Sequence, residues 1–345
     1  METAEQVREH LRWQERFCGN DNCPITGAVC AALAEVLDER TETGRRALSW
    51  SGPLTQDLVG LRIAAGLHAL HRAGRAPRLA RLYAGDTAGA AEAVAATLAE
   101  FDHEIAPWLD GPPQTNEPGR SAMLMTGLKV LASRYHLPLE LLEIGSSAGL
   151  NLQLDRYSFD LGGEKAGPED AAIHFAPEWR GPPPPSAPVE FRSIRGCDIA
   201  PVDVSQPGAI DRLLAYIWVD QQDRFEVMER ALMLAAERPP VVEQADAGEW
   251  LAARLAEPQA EGTCRVLMHS IMWRYLPADV RRTIRLRMEE AGSRATPERP
   301  LGWIMFEGHR DHQWPAVRVR SWPDFGEEQV VAIAQGHGFW VESKG

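Results

Sequence analysis

The chain has 345 residues, too many for one ordinary compact core and enough for two domains or one large α/β domain with a substantial cap. Its 49 acidic against 36 basic side chains give a formal charge of -13, which opposes binding to phosphate backbones or anionic lipid and favours a self-repelling monomer or small homo-oligomer. No window approaches the roughly 18 continuous apolar residues a membrane span needs, and the first ten residues are charged throughout, so a cytoplasmic protein without nucleic-acid or membrane partners is expected.

Residues 1–136 read as a helical cap domain, because Ala, Leu, Glu and Arg dominate and apolar residues recur at three- and four-residue intervals. Helices are expected near 3–18, 25–39, 55–73, 87–107 and 119–135, with breaks at Pro24, Gly52-Pro53, Gly85 and Gly111-Pro112-Pro113. Trp13 and Phe17, four apart on the first helix, read as core contacts. Cys18, Cys23 and Cys30 read as small apolar residues of the first helices. With Cys197 and Cys264 they make five cysteines at irregular spacing, which fits neither a disulfide framework nor a paired zinc motif, so no metal is expected.

From residue 137 to 345, short apolar runs alternate with helical segments, the pattern of a parallel sheet with crossover helices. Seven strands are expected, at 138–144, 189–197, 240–245, 264–269, 302–307, 316–320 and 338–342. Helices are expected near 149–156, 208–236 with a break at 218–221, 248–256, 277–292 and 325–335. Residues 157–188 interrupt the rhythm, and their four consecutive prolines, Pro182 to Pro185, suit neither a helix nor a central strand. This Pro-rich insertion reads as a surface excursion, either a lid over a ligand crevice or an inert extended connector.

The chemistry concentrates in Leu139-Glu-Leu-Leu-Glu-Ile-Gly-Ser-Ser-Ala-Gly-Leu-Asn-Leu152, an apolar strand that runs into a glycine-bounded turn and then a helix. Gly145-Ser-Ser-Ala-Gly149 satisfies the G-x-S-x-G pattern of a hydrolase nucleophile elbow, with Ser147 central and Asp246 and His337 following in order. A helical preface without an oxyanion-hole loop opposes that reading, since the elbow should follow several strands. A dinucleotide site would need glycine where Ser147 stands. A ligand without phosphate tolerates side chains there: Gly145 allows the sharp turn, Gly149 brings the helix start close to the ligand, and free backbone donors, Ser146 and Ser147 included, face its polar groups.

Residues 137–345 resemble a class I S-adenosylmethionine-dependent methyltransferase fold, a Rossmann-like seven-stranded α/β sheet. The whole chain resembles a bacterial family catalogued as domain of unknown function 2332. The family resemblance rests on Arg12-Trp13-Gln14, Gln114-Thr115-Asn116-Glu117 with Arg120, Leu142 to Leu152, Gly196-Cys-Asp-Ile-Ala-Pro-Val-Asp-Val204, Leu267-Met-His-Ser270 and Tyr275-Leu-Pro277. That family has no assigned activity, so the methyltransferase reading comes from the fold resemblance. The resemblance implies S-adenosylmethionine as cofactor, with Asp198 on the ribose hydroxyls, Asp246 at the adenine amine beside Trp250 as a stacking surface, and Glu143 steadying the turn or the methionine amine. The proline-rich insertion separates Gly149 from Asp198 by more than the pattern allows, and Asp203 is an alternative to Asp198.

Methyl transfer requires alignment of an acceptor and removal of its proton where it carries one. His269, Glu307 and His309 follow the fourth and fifth strands and are the catalytic candidates; Gln114, Asn116, Arg120 and Tyr275 are the substrate-binding ones. The Asn-Pro-Pro-Tyr run of enzymes that methylate nucleic-acid amines is absent after the fourth strand, where Ser270-Ile-Met-Trp273 stands, so a small-molecule substrate is expected. A non-catalytic metabolite-binding protein of the same fold is the main alternative, and a Ser147 hydrolase the other.

Overall fold

The computed structural model describes residues 3–344. The chain divides into two compact units, one formed by the chain up to Thr115 with Gln206–Glu229, the other by Asn116–Ser205 with Arg230 onward. The cuts thus fall after 115, 205 and 229 rather than once at 136.

The first unit is helical. Its elements are α1 (Ala4–Asn20), α2 (Pro24–Val36), α3 (Glu42–Leu48), α4 (Leu54–Asp57), α5 (Val59–Arg72), α6 (Ala80–Tyr83) and α7 (Ala90–Ile105). Thr3 and Gln6 close a capping box at the start of α1, and Val7, Leu11 and Cys18 bury one of its stripes. Trp13 and Phe17 lie off that stripe, 41% and 43% exposed, stacked on each other at 5.5 Å, so the expected core contacts are surface aromatics. All five cysteines are buried and free.

In the second unit α8 (Ser121–Tyr135) precedes β1 (Leu139–Ile144), and β2 (Tyr157–Leu161), β3 (Glu164–Ala166), β4 (Ile173–Phe175), β5 (Glu178–Arg180) and β6 (Phe191–Asp198) follow. Between β6 and β7 the chain contributes to the first unit α9 (Ala209–Ala215) and the start of α10 (Gln222–Glu237), separated by the break expected at 218–221. Then come β7 (Val242–Gln244), α11 (Ala247–Ala256), β8 (Cys264–Ser270), α12 (Ala278–Gly292), β9 (Leu301–Glu307), β10 (Ala316–Trp322), β11 (Phe325–Ala334) and β12 (Trp340–Ser343).

The result is a mixed, mostly parallel nine-stranded sheet in the order β5-β12-β11-β10-β9-β8-β1-β6-β7. The two strands beyond the expected seven are β5, inside the proline-rich segment, and β11, where a helix was expected. Residues 327–335 contain Glu, Gln and Ala that suit a helix. Val330, Val331 and Ile333 instead suit a strand, and the preceding turn returns the chain antiparallel along β10. The 157–188 segment carries regular structure: β2, β3 and β4 form a small sheet, β5 pairs with β12, and the prolines follow outside any helix or strand. The helix expected at 149–156 is a 3-10 stretch, Leu150–Arg156, because β2 begins directly after it.

Strands β1, β8 and β9 are buried on both faces, which is why they read as apolar runs. Along the chain, β1, β6, β7, β8 and β9 lie in the order 3-2-1-4-5, and the direction of winding reverses between β1 and β8. In such sheets ligands bind in the crevice beyond the carboxyl ends of the strands at that reversal.

Candidate functional site at the carboxyl end of the first strand

Beyond β1 the chain turns through Gly145-Ser-Ser-Ala-Gly149 with positive φ at Gly145 (72°), Ser147 (53°) and Gly149 (73°). Glycine adopts this conformation freely, whereas for serine it costs about 1–2 kcal/mol. Neighbouring groups hold Ser147 there. Its N–H donates to Asp198 Oδ2 at 2.8 Å, and its carbonyl accepts from Val202 at 3.1 Å. The amides of Gly145 and Ser146 both donate to the Cys197 carbonyl, at 2.9 and 3.0 Å, tying the turn to the end of β6. A Cβ on Gly145 would meet Met272 at 2.8 Å, and one on Gly149 would meet Pro240 at 2.6 Å. The space that the sequence assigned to a ligand beside Gly149 is therefore filled by Pro240 and Val242.

Glu143 is 1% exposed, and its Oε2 has no hydrogen-bond partner in the protein. Burial pushes its carboxyl up to about 8; the Asp198 charge acts in the same direction, and the Ser146 hydroxyl and Arg120 guanidinium act against it. The Ser147 hydroxyl is also enclosed without a partner. Two unpartnered polar atoms at one turn call for a ligand or ordered water, because desolvation without a hydrogen bond costs about 1–3 kcal/mol each.

Asp198 accepts from Ser147 N through Oδ2 and from Ala200 N, 2.9 Å away, through Oδ1. Each carboxylate oxygen has a second lone-pair direction, so the residue braces the turn and retains acceptor capacity toward a diol. Asp203 Oδ1 holds Ser205. Asp246 is the N-cap of α11, accepting from Gly248 and Glu249 at 2.8 and 3.1 Å. Trp250 is 4% exposed in the core beneath α11 and α12, which corrects its assignment as a stacking surface.

His269 and Glu307 form one unit: His269 Nδ1 donates to Glu307 Oε1 at 2.8 Å, and the same oxygen accepts from the amides of Met272 and Trp273 at 3.0 and 3.1 Å. The histidine is fully enclosed, stacked on Trp273 at 4.9 Å, and its Nε2 has no partner. Glu143 pairs in register with Met268, so His269, one residue on, faces the opposite side of the sheet. Glu143 faces the α8 side, as does Ile304, against which Gly127 of α8 packs. The His269–Glu307 pair faces the α11–α12 side and anchors the loop that sets Met272 against Gly145. It does not share a surface with Glu143.

His309 lies beyond this pair, with Nδ1 3.8 Å from Asp311 Oδ2 and its ring 5.1 Å from His312. The Tyr275 hydroxyl accepts from Arg274 at 3.0 Å. Gln114 belongs to the first unit, and Asn116 and Arg120 to the second. Asn116 accepts from Leu150 N at 2.9 Å and so caps the stretch that leaves the turn. Arg120, 8% exposed, donates through Nε to the Gly336 carbonyl at 3.1 Å and approaches the Ser270 carbonyl at 3.5 Å. The hydrolase constellation is not assembled: Ser147 Oγ makes no hydrogen bond, Asp246 caps a helix, and His337 lies beside Glu117. Among the described residues no group of three or more His, Cys, Asp or Glu is placed to hold a metal ion.

Residues 8–343 match the family described as an uncharacterized protein conserved in bacteria, DUF2332. The chain belongs to that family. No curated protein and no solved structure matches it.

In this DUF2332 member, four of the segments that carry the family resemblance, those that include Asn116 and Arg120, residues 142–152, Cys197-Asp198 and Ser270, are joined by hydrogen bonds around the turn. Asn116 holds Leu150, Cys197 and Asp198 hold residues 145–147, and Arg120 reaches Ser270. Glu117, part of the polar run before α8 but not among the expected site residues, is 3% exposed with Oε2 3.5 Å from His337 Nδ1. Its signal was only its place between Asn116 and Arg120, because the partner lies more than two hundred residues away. Among the described residues no helix is long and apolar enough to cross a membrane.

Proposed function

We propose that the second unit binds S-adenosylmethionine at the turn after β1 and transfers its methyl group to a small molecule. The observation that carries this reading is Glu143: a buried carboxyl with an unpartnered oxygen, at the end of the first strand of a 3-2-1-4-5 sheet. Bound there, the cofactor would supply a methyl group on a sulfonium. Glu143 would accept from its ammonium, Asp198 would use its remaining lone pairs on the ribose hydroxyls, and the Ser147 hydroxyl would satisfy a further polar group. Asp246 caps α11 through Oδ1 alone, so its other carboxylate oxygen would accept from the adenine amine. The charge of -13 supports a small acceptor over nucleic acid, and a cytoplasmic monomer or small homo-oligomer fits the same balance.

One observation favours a non-catalytic binder: the His269–Glu307 pair, the strongest catalytic candidate in the sequence, is fully enclosed and holds a loop. Calorimetric titration with S-adenosylmethionine and S-adenosylhomocysteine tests the reading, with both expected to bind one site and both weakened at least tenfold by Asp198→Asn. Failure of both to bind the intact chain overturns it. Binding without consumption of the methyl group across a metabolite panel leaves the binder.

A further inference from the structure

At the amino edge of the sheet a cavity of about 170 Å³ opens between the carboxyl ends of α11 and α12 and the first residues of β8 and β9. Leu255, Ala291, Ala295 and Leu301 give it an apolar wall, and Arg265, Arg294 and Arg299 bring guanidinium groups to it. The Arg265 side chain is 5% exposed and rigidly held: Nε donates to Glu140 at 2.9 Å, and Nη1 donates to the Arg254 and Glu257 carbonyls at 2.9 and 3.0 Å. Its Nη2 makes no hydrogen bond and is still reached by solvent. Arg294 uses only Nη1, on Glu290 at 3.1 Å, while Arg299 uses Nε and Nη2, on the Gln259 carbonyl and Glu261 at 3.2 and 3.1 Å. Each guanidinium therefore keeps donors to spare. The acids that pair with them, Glu140, Glu261 and Glu290, do not line the cavity. The one acid that does, Glu257, has both oxygens engaged by arginines outside the lining, Arg195 at 2.6 Å and Arg254 at 3.1 Å.

We propose that this cavity binds a small carboxylate with a compact apolar body. A carboxylate is planar and accepts only, so it fits guanidinium groups that have N–H donors left over, and the fixed Arg265 offers such donors without further ordering. The leucine and alanine wall takes the apolar body, which inorganic phosphate lacks. Size sets the class: a cavity of roughly 150 Å³ holds a guest the size of benzene, so the ligand is a short-chain or single-ring acid. It is not the methyl acceptor. Glu140 pairs in register with Arg265 and Glu143 with Met268, so the cavity lies three residues, roughly 10 Å, before Glu143 along buried strands. The cavity and the turn after β1 are thus separate sites, and neither assignment depends on the other.

The test is calorimetric titration of the full chain at pH 7 and low salt with three probes: 3-methylbutanoate, its neutral amide and inorganic phosphate. The carboxylate should bind one site with a Kd of about 1 mM or tighter. The amide, which has the same shape without the charge, should bind about tenfold more weakly or not at all. Arg294 and Arg299 have side chains 62% and 47% exposed, so the double variant Arg294→Gln, Arg299→Gln should fold as wild type, checked by circular dichroism. It should weaken the carboxylate about tenfold. Four outcomes overturn the proposal: no binding of the carboxylate, equal affinity for the amide, phosphate binding as tightly as the carboxylate, or unchanged affinity in the folded double variant. Failure of S-adenosylmethionine to bind bears on the turn after β1 alone.

Discussion

Replacing Glu143 with glutamine isolates the energetic consequence of enclosing a carboxyl at the end of β1. In the folded chain burial holds that group's pKa near 8, against an ordinary value of 4.5. The folded value is the higher one, so its stabilising contribution is fully present below pH 4.5 and is lost as pH rises through 8. Between those limits stability falls by up to ~1.4 kcal/mol per pH unit relative to a neutral side chain of the same shape. Glu143→Gln should therefore unfold in urea with nearly wild-type stability at pH 4.5–5 and gain on the order of 4 kcal/mol over wild type by pH 8. Other titrating groups are common to both chains and cancel in the difference. An equal stability difference at pH 5 and pH 8, or a wild type more stable than the variant at pH 8, would refute the reasoning.

Three further outcomes follow from the same turn and the loop packed on it. Ser147→Gly should raise stability by roughly 0.5–1 kcal/mol in urea unfolding, because relief of the left-handed strain exceeds the added chain entropy, whereas Ser147→Val should lower it. Gly149→Ala and Gly145→Ala should both lower the melting point, since each position has positive φ and the added methyl meets the Pro240 ring in the first and Met272 from its Cβ outward in the second; a wild-type melting point in either would contradict this. Glu307→Ala removes the acceptor of the Met272 and Trp273 amides, so their hydrogen exchange should quicken about tenfold or more, with strand amides of β1 unchanged.

The strands that build the site were legible because β1, β8 and β9 are buried on both faces and show as unbroken apolar runs. β11 was not, because Glu327-Glu-Gln carries helix-forming side chains whose strand conformation is imposed by pairing with β10 and β12. Sequence also placed Glu143, His269 and Glu307 at strand ends correctly but could not say which face each occupies. That depends on the register of β1 against β8, a one-residue matter that reverses the side. An aspartate after a strand reads alike whether it caps a helix or meets a ligand. Asp246 is a helix cap, while Asp198 braces the turn from β6. The Glu117–His337 pair joins segments remote in sequence and had no local signal.

The most direct measurement is calorimetric titration of the intact chain with S-adenosylmethionine at pH 7 in two buffers of different ionisation enthalpy. A carboxyl with its pKa near 8 is mostly protonated at that pH and must ionise to meet an ammonium. One-site binding should therefore release a substantial fraction of a proton per ligand. Glu143→Gln should bind more weakly and release none. Binding of wild type and variant with equal affinity and no proton release, or no binding at all, would contradict the assignment of the turn after β1 as the cofactor site.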